Sequence, residues 1–196
     1  AVITPFIDSP RFYYITADRE NGMYQATKYL LNLNHKDIAY ISGAPDVEIS
    51  QSRLRGIRRA LAEANLHLKE EYYRQGLTGI DAGFEAAMSI LGHTSQHRLT
   101  AIIAYNDLLA IGAMHAIRTF NLSVPEDISV VGFNEVYFSP HTNPPLTTVN
   151  QPTYREGQLA IQKIYNNLQG YDANTGGYTL LECRLVVRES TGPCPR

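Results

Sequence analysis

Along the chain, uninterrupted apolar runs alternate with stretches whose apolar positions recur every three or four residues. "FYYITAD" (Phe12 to Asp18), "DIAYISG" (Asp37 to Gly43), "LTAIIAY" (Leu99 to Tyr105), "ISVVGF" (Ile128 to Phe133) and "LLECRLVV" (Leu180 to Val187) read as strands. Between them, Met23, Ala26, Leu30 and Leu33 share one helical face, as do Leu54, Ile57, Leu61 and Ala64. Phe84, Ala87, Met88 and Leu91 mark a helix entered through Asp81; Ala110, Ala113, Met114 and Ile117 mark one that Asn106 or Asp107 can N-cap. Ile161, Ile164 and Leu168 lie on a last helix closed by Gly170. Strands that are apolar throughout, each followed by a helix, predict a parallel sheet covered on both faces.

Such sheets bind ligands beyond the carboxyl ends of their strands. Those ends are "SGAPDVEISQSR", "AYND" and "GFNE". They bring Asp46, Glu48, Ser50, Gln51, Arg53, Asn106, Asp107, Asn134 and Glu135 into one polar ring with one arginine, which suits a polyhydroxylated or otherwise polar small molecule. With 17 Lys and Arg against 19 Asp and Glu, the chain lacks the positive surface that phosphate neutralisation needs. The arginines of "SRLRGIRRA" read as one solvated helix face.

Catalytic signatures are absent. There is no G-x-G-x-x-G, no Walker A and no G-x-S-x-G. The six histidines are scattered, and His93 and His97 sit in a polar "GHTSQH" loop that reads as surface rather than metal site, so neither metal nor cofactor is expected. Two cysteines, Cys183 and Cys194, read as reduced cytoplasmic thiols. No apolar run reaches membrane-spanning length. "AVITPFID" has no basic leader and reads as a strand entered midway, so a longer native chain is expected.

Several stretches, in order, resemble the LacI/GalR family of bacterial transcriptional regulators. "YLLNLNHKDIAYISG" is similar to its helix–strand crossing, with Asn34 for the usual Gly. "SRLRGIRRAL" resembles the R-x-x-G-F helix, with Ile57 for Phe. "TAIIAYNDLLAIGAMHAI", "VPEDISVVGFNE", "PPLTTVNQP" and "RLVVREST" carry the rest. The likeness covers almost the whole chain, but the family's helix-turn-helix, hinge helix and first βα units would precede Ala1.

The resemblance implies a type I periplasmic-binding-protein-like α/β fold of two doubly wound parallel-sheet subdomains, the N-terminal one incomplete. Residues 1–35 and 152–177 would belong to the N-terminal subdomain, and 36–151 and 178–196 to the C-terminal effector-binding and dimerisation subdomain. It implies an effector site between them at Arg53, Asn134, Asn106, Asp107, Asp18, Thr78 and Ile49. Asn134 replaces the usual Asp; Thr78 stands where many members carry a ring-stacking aromatic, which argues against a purine effector. A homodimer contact is implied at Leu108, Ala110, Ile111, Met114 and Asp81, although the small residues of that helix serve packing within the chain equally well. The expectation is therefore a non-enzymatic, cytoplasmic, homodimeric repressor core. It would sense a mono- or disaccharide and reach operator DNA through a head domain outside this chain. The alternative is a periplasmic or lipoprotein sugar-binding component of a transporter.

Overall fold

The computed structural model describes residues 2–3, 12–76, 78–93, 99–171 and 176–195. Contacts divide the chain into two compact units, residues 1–18 with 151–183 and residues 19–150 with 184–196. In the smaller unit, strands β1 (Val2–Ile3), β2 (Tyr13–Ala17) and β8 (Gly177–Leu181) pair in parallel in the order β1-β2-β8. Helix α5 (Thr153–Leu168) packs on β1 and β2, and Lys163 lies 4.4 Å over the Tyr13 ring. Gly170 follows α5 with φ +74, the left-handed stop that the sequence predicts.

The larger unit holds α1 (Arg19–Asn32), β3 (Ile38–Ser42), α2 (Glu48–Glu63), β4 (Tyr73–Gln75) and α3 (Ile80–His93). It continues with β5 (Ala101–Ala104), α4 (Asp107–Thr119), β6 (Ser129–Asn134), β7 (Thr147–Asn150) and β9 (Arg184–Val186). Its six strands run in the order β4-β3-β5-β6-β7-β9, parallel except for β9, which is antiparallel to β7. All five positions of β3 and all four of β5 are buried, as a doubly covered sheet requires. Ala39, Ile41, Ile102, Ala104 and Val130 point into one core with α3 and α4. Ile38 and Tyr40 alternate with them, so they face the other side, which α1 and α2 are left to cover. Each fully buried Ile contributes roughly 1.5–3 kcal/mol.

Two glycines set how closely the helices approach. A Cβ on Gly56 of α2 would lie 2.1 Å from the Glu20 carbonyl oxygen of α1, and one on Gly112 of α4 would lie 2.0 Å from that of Ile80 on α3. Helix α1 therefore sits with α2 in the larger unit, whereas the resemblance draws the boundary at 35/36. The stretch expected as one strand, Leu180–Val187, is two. Residues through Leu181 pair with β2 in the smaller sheet, and Arg184–Val186 pair with β7 in the larger. Strands β4 and β7 carry too few apolar residues to register as strands from sequence. Among the described residues no helix is long and apolar enough to cross a membrane, and no cluster of metal-ligating side chains occurs. His93 ends α3 with Nδ1 2.7 Å from the Ser89 carbonyl oxygen; His97 lies outside the described residues.

Candidate functional site

At the carboxyl end of the larger sheet the chain turns sharply after β6. Asn134 has φ +109 and Glu135 φ +56, two consecutive non-glycine residues on the unfavourable side. Each such residue costs of order 1–3 kcal/mol and persists only where its surroundings hold it. What holds this turn is a set of polar contacts that also defines the site.

Arg53 lies on the second turn of α2, only 2% exposed. Its Nη2 donates to Asn134 Oδ1 at 3.0 Å, and its Nη1 donates to the Tyr105 carbonyl oxygen at the end of β5. The guanidinium lies 3.8 Å over the Phe133 ring and 4.3 Å from the centroid of Tyr105. Two ring faces and two hydrogen bonds fix a planar fork in one orientation. One turn before it, Ser50 Oγ is buried with no hydrogen-bond partner among the described residues, beside Gly43 and the Tyr105 ring. Val47 precedes α2 without a side-chain cap.

The neighbouring Asn106-Asp107 pair divides its labour. Asn106 Oδ1 accepts from the Leu109 amide at 2.9 Å and caps α4. Asp107 is fully buried. Its Oδ1 accepts from Thr148 Oγ1 at 2.5 Å, and its Oδ2 from the Val136 amide at 2.7 Å and Ser139 Oγ at 2.8 Å. Burial pushes its carboxyl above the usual range, and these three hydrogen bonds pull the other way. Both oxygens are thus used inside the fold.

Of the residues expected from sequence, the structure joins Arg53 to Asn134 directly. Ile49 is half-buried one turn earlier on α2, and Thr78 is exposed between β4 and α3. Asp18 follows β2 in the smaller unit, where its amide donates to the Leu181 carbonyl oxygen at 2.7 Å. On α4, Ala110 and Met114 are buried in this chain's own core and Gly112 meets α3. Leu108 and Ile111 stay half-buried, and Asp81 on α3 is exposed. The sequence reading does not mark Tyr105 and Phe133 as partners of Arg53. Tyr105 and Phe133 each stand directly before a polar pair, the one signal that marks them.

A model of the periplasmic binding protein-like domain matches residues 27–191. The chain belongs to that family. Relatives found by sequence include HTH-type transcriptional repressors, and structural neighbours include LacI-family regulators. The HTH-type transcriptional repressor PurR of Aliivibrio fischeri (strain MJ11) is 37% identical over 165 residues, covering 84% of this chain and 49% of that protein. A transcriptional regulator CelR–cellobiose complex superposes with TM-score 0.86 at 31% identity, covering 94% of this chain and 55% of that one. The Lac repressor dimer bound to operator and the anti-inducer ONPF gives TM-score 0.82 at 30% identity, covering 91% and 52%. The chain spans about half the length of the relatives it matches. The likeness to LacI/GalR regulators and the periplasmic-binding-protein-like α/β class are thereby established, with the fold as described.

Proposed function

We propose that this chain is the effector-sensing and dimerising core of a cytoplasmic transcriptional repressor, with a mono- or disaccharide as effector. The observation that carries the reading is Arg53, buried and oriented between two ring faces beside Asn134 at the carboxyl end of the parallel sheet. Its fork spans vicinal hydroxyls, and an amide at 134 both accepts from and donates to a sugar. Asn106, Ile49, Thr78 and Asp18 are the further positions that the family pattern offers to the effector. Asp107 supports the site from beneath, because its oxygens are already committed.

Where the family usually has aspartate, Asn134 keeps an acceptor for a sugar hydroxyl, adds a donor for a ring oxygen and lacks the charge that would repel an anion. Operator DNA is reached through a head domain outside these residues, since the chain is net acidic. The homodimer forms through the larger unit, with Leu108, Ile111 and Asp81 the positions on the surface of α3 and α4. A thermal-shift screen of the full-length protein over mono-, di- and phosphorylated sugars and purine bases tests the effector. A saccharide that stabilises wild type but not Arg53→Ala is the expected result. A purine or phosphorylated compound as the sole stabiliser would overturn the neutral-sugar reading.

A further inference from the structure

Glu135 follows Asn134 directly, and its carboxylate is divided between two donors. Asn150 Nδ2 donates to Oε2 at 2.5 Å, and Arg188 Nη2 donates to Oε1 at 2.6 Å. Arg188 also donates through Nη1 to the Leu146 carbonyl oxygen at 2.9 Å, and its amide donates to Thr147 Oγ1 at 2.9 Å. The places these donors occupy in the chain matter more than their number. Asn150 is the last residue of the larger unit before the chain leaves it at 150/151, and Arg188 follows closely after the chain returns at 183/184. The two strands concerned, β7 and β9, pair with each other, with Asn150 opposite Arg184. A single carboxylate therefore touches both of these passages, and the residue that bears it adjoins the one facing Arg53.

We propose that Glu135 is a positioning residue, which makes the Asn134 turn, the end of β7 and the segment that carries β9 and Arg188 one cooperative unit. This rests on the effector reading for its purpose: a change at Asn134 would be felt at two of the chain passages between units. The backbone supports it. Two successive left-handed non-glycine residues need an outside constraint, and the Glu135 side chain supplies one that ends on Asn150 of β7 and on Arg188, just past β9. Both partners of the ion pair are largely shielded, with side chains 25% and 17% exposed, so screening by solvent is incomplete. Asp107 anchors the same loop one residue further on, through Val136, but reaches β7 at Thr148 and makes no contact with β9. Glu135 thus adds a side-chain link from this loop to Arg188, beside the backbone ladder that joins β7 to β9.

Hydrogen exchange read by mass spectrometry on the full-length protein without ligand tests this, so its outcome does not depend on whether the effector reading holds. In Glu135→Ala, exchange should rise together, on the order of tenfold, at residues 134–138, 147–150 and 184–187, while β3 and β5 keep wild-type protection. Glu135→Gln retains one acceptor and should give a smaller rise in the same three segments. Arg188→Met, which keeps only the length, should reproduce the three-segment rise, and Arg188→Lys, which keeps the charge but not the two-nitrogen fork, should give a clearly smaller one. A rise confined to residues 134–138, a uniform rise that includes β3 and β5, or equal effects of Arg188→Lys and Arg188→Met would each overturn the proposal.

Discussion

Asp107 offers the sharpest quantitative test of how the site is supported. Replacing it by alanine strips the acceptor from three donors at once. The Val136 amide is fixed in place and loses about 1–3 kcal/mol if left unpaired in the interior; the Ser139 and Thr148 hydroxyls can rotate and lose roughly 0.5–1.5 kcal/mol each. Against these stands the relief of no longer holding a carboxylate away from water, which burial makes unfavourable here. The net expectation is a loss of about 2–4 kcal/mol, a large share of the 5–15 kcal/mol typical of a domain. Asparagine should behave differently. Its carbonyl oxygen can take the place that serves Val136 and Ser139, and its amide can donate to Thr148, so the cost falls to about 1 kcal/mol or less.

The difference between aspartate and asparagine also carries a pH signature. Because the folded carboxyl titrates above its ordinary value of 3.8, its contribution is greatest below that value and is lost as pH rises through the folded pKa. Wild type should therefore gain on Asp107→Asn as the pH is lowered. Urea denaturation followed by far-ultraviolet circular dichroism, for all three proteins at several pH values, measures both effects. Equal losses for alanine and asparagine, or an alanine variant within 0.5 kcal/mol of wild type, would refute the reasoning.

Gly56→Ala should destabilise by roughly 1–3 kcal/mol or more, since its Cβ meets a backbone oxygen of α1 that cannot move alone; a melting temperature unchanged from wild type would contradict this. His35 is fully buried, with Nε2 2.9 Å from the Gly192 carbonyl oxygen and Nδ1 3.0 Å from Thr100 Oγ1, and burial lowers its pKa below 6.5. Its stabilising contribution is present above pH 6.5 and is lost as the pH falls toward the folded value, so His35→Gln should flatten the acid limb of the stability profile measured by denaturation. Arg53→Ala should weaken the saccharide found by the screen by about 2–4 kcal/mol, and Asn134→Ala by about 1–2 kcal/mol, in calorimetry. Asn134→Asp should keep or improve binding of a neutral sugar and weaken an anionic ligand.

How much of this was legible beforehand depends on where the cause of each feature lies. Strands β3, β5 and β6 announce themselves because both faces are buried, which forces an unbroken apolar run. Strand β7 is "TTVN", polar to the eye. Its threonines are buried all the same, because Thr147 pairs with Thr191 and Thr148 with Asp107, partners over forty residues away. Strand β4 lies at the sheet edge with three residues, too short for any period to show. The split of "LLECRLVV" reflects a change of sheet between Leu181 and Arg184, which no local propensity encodes.

The same distinction explains the site. Asn106-Asp107 and Asn134-Glu135 are both visible as polar pairs closing apolar strands, but a sequence does not say which member turns outward. In each pair one residue serves a helix terminus or meets Arg53, and the other is spent on the fold. Asn106 caps its own helix while Asp107 reaches β7 and the loop after β6. Asn134 meets Arg53 while Glu135 reaches Asn150 and Arg188. The backbone is left-handed only at Asn134-Glu135 and extended at Asn106, but at both strand ends the neighbouring residue is a carboxylate that accepts from several donors at once. The pairing of an amide with an acid is thus the mark of a supported site, and it separates residues whose loss should remove affinity from those whose loss should first remove stability.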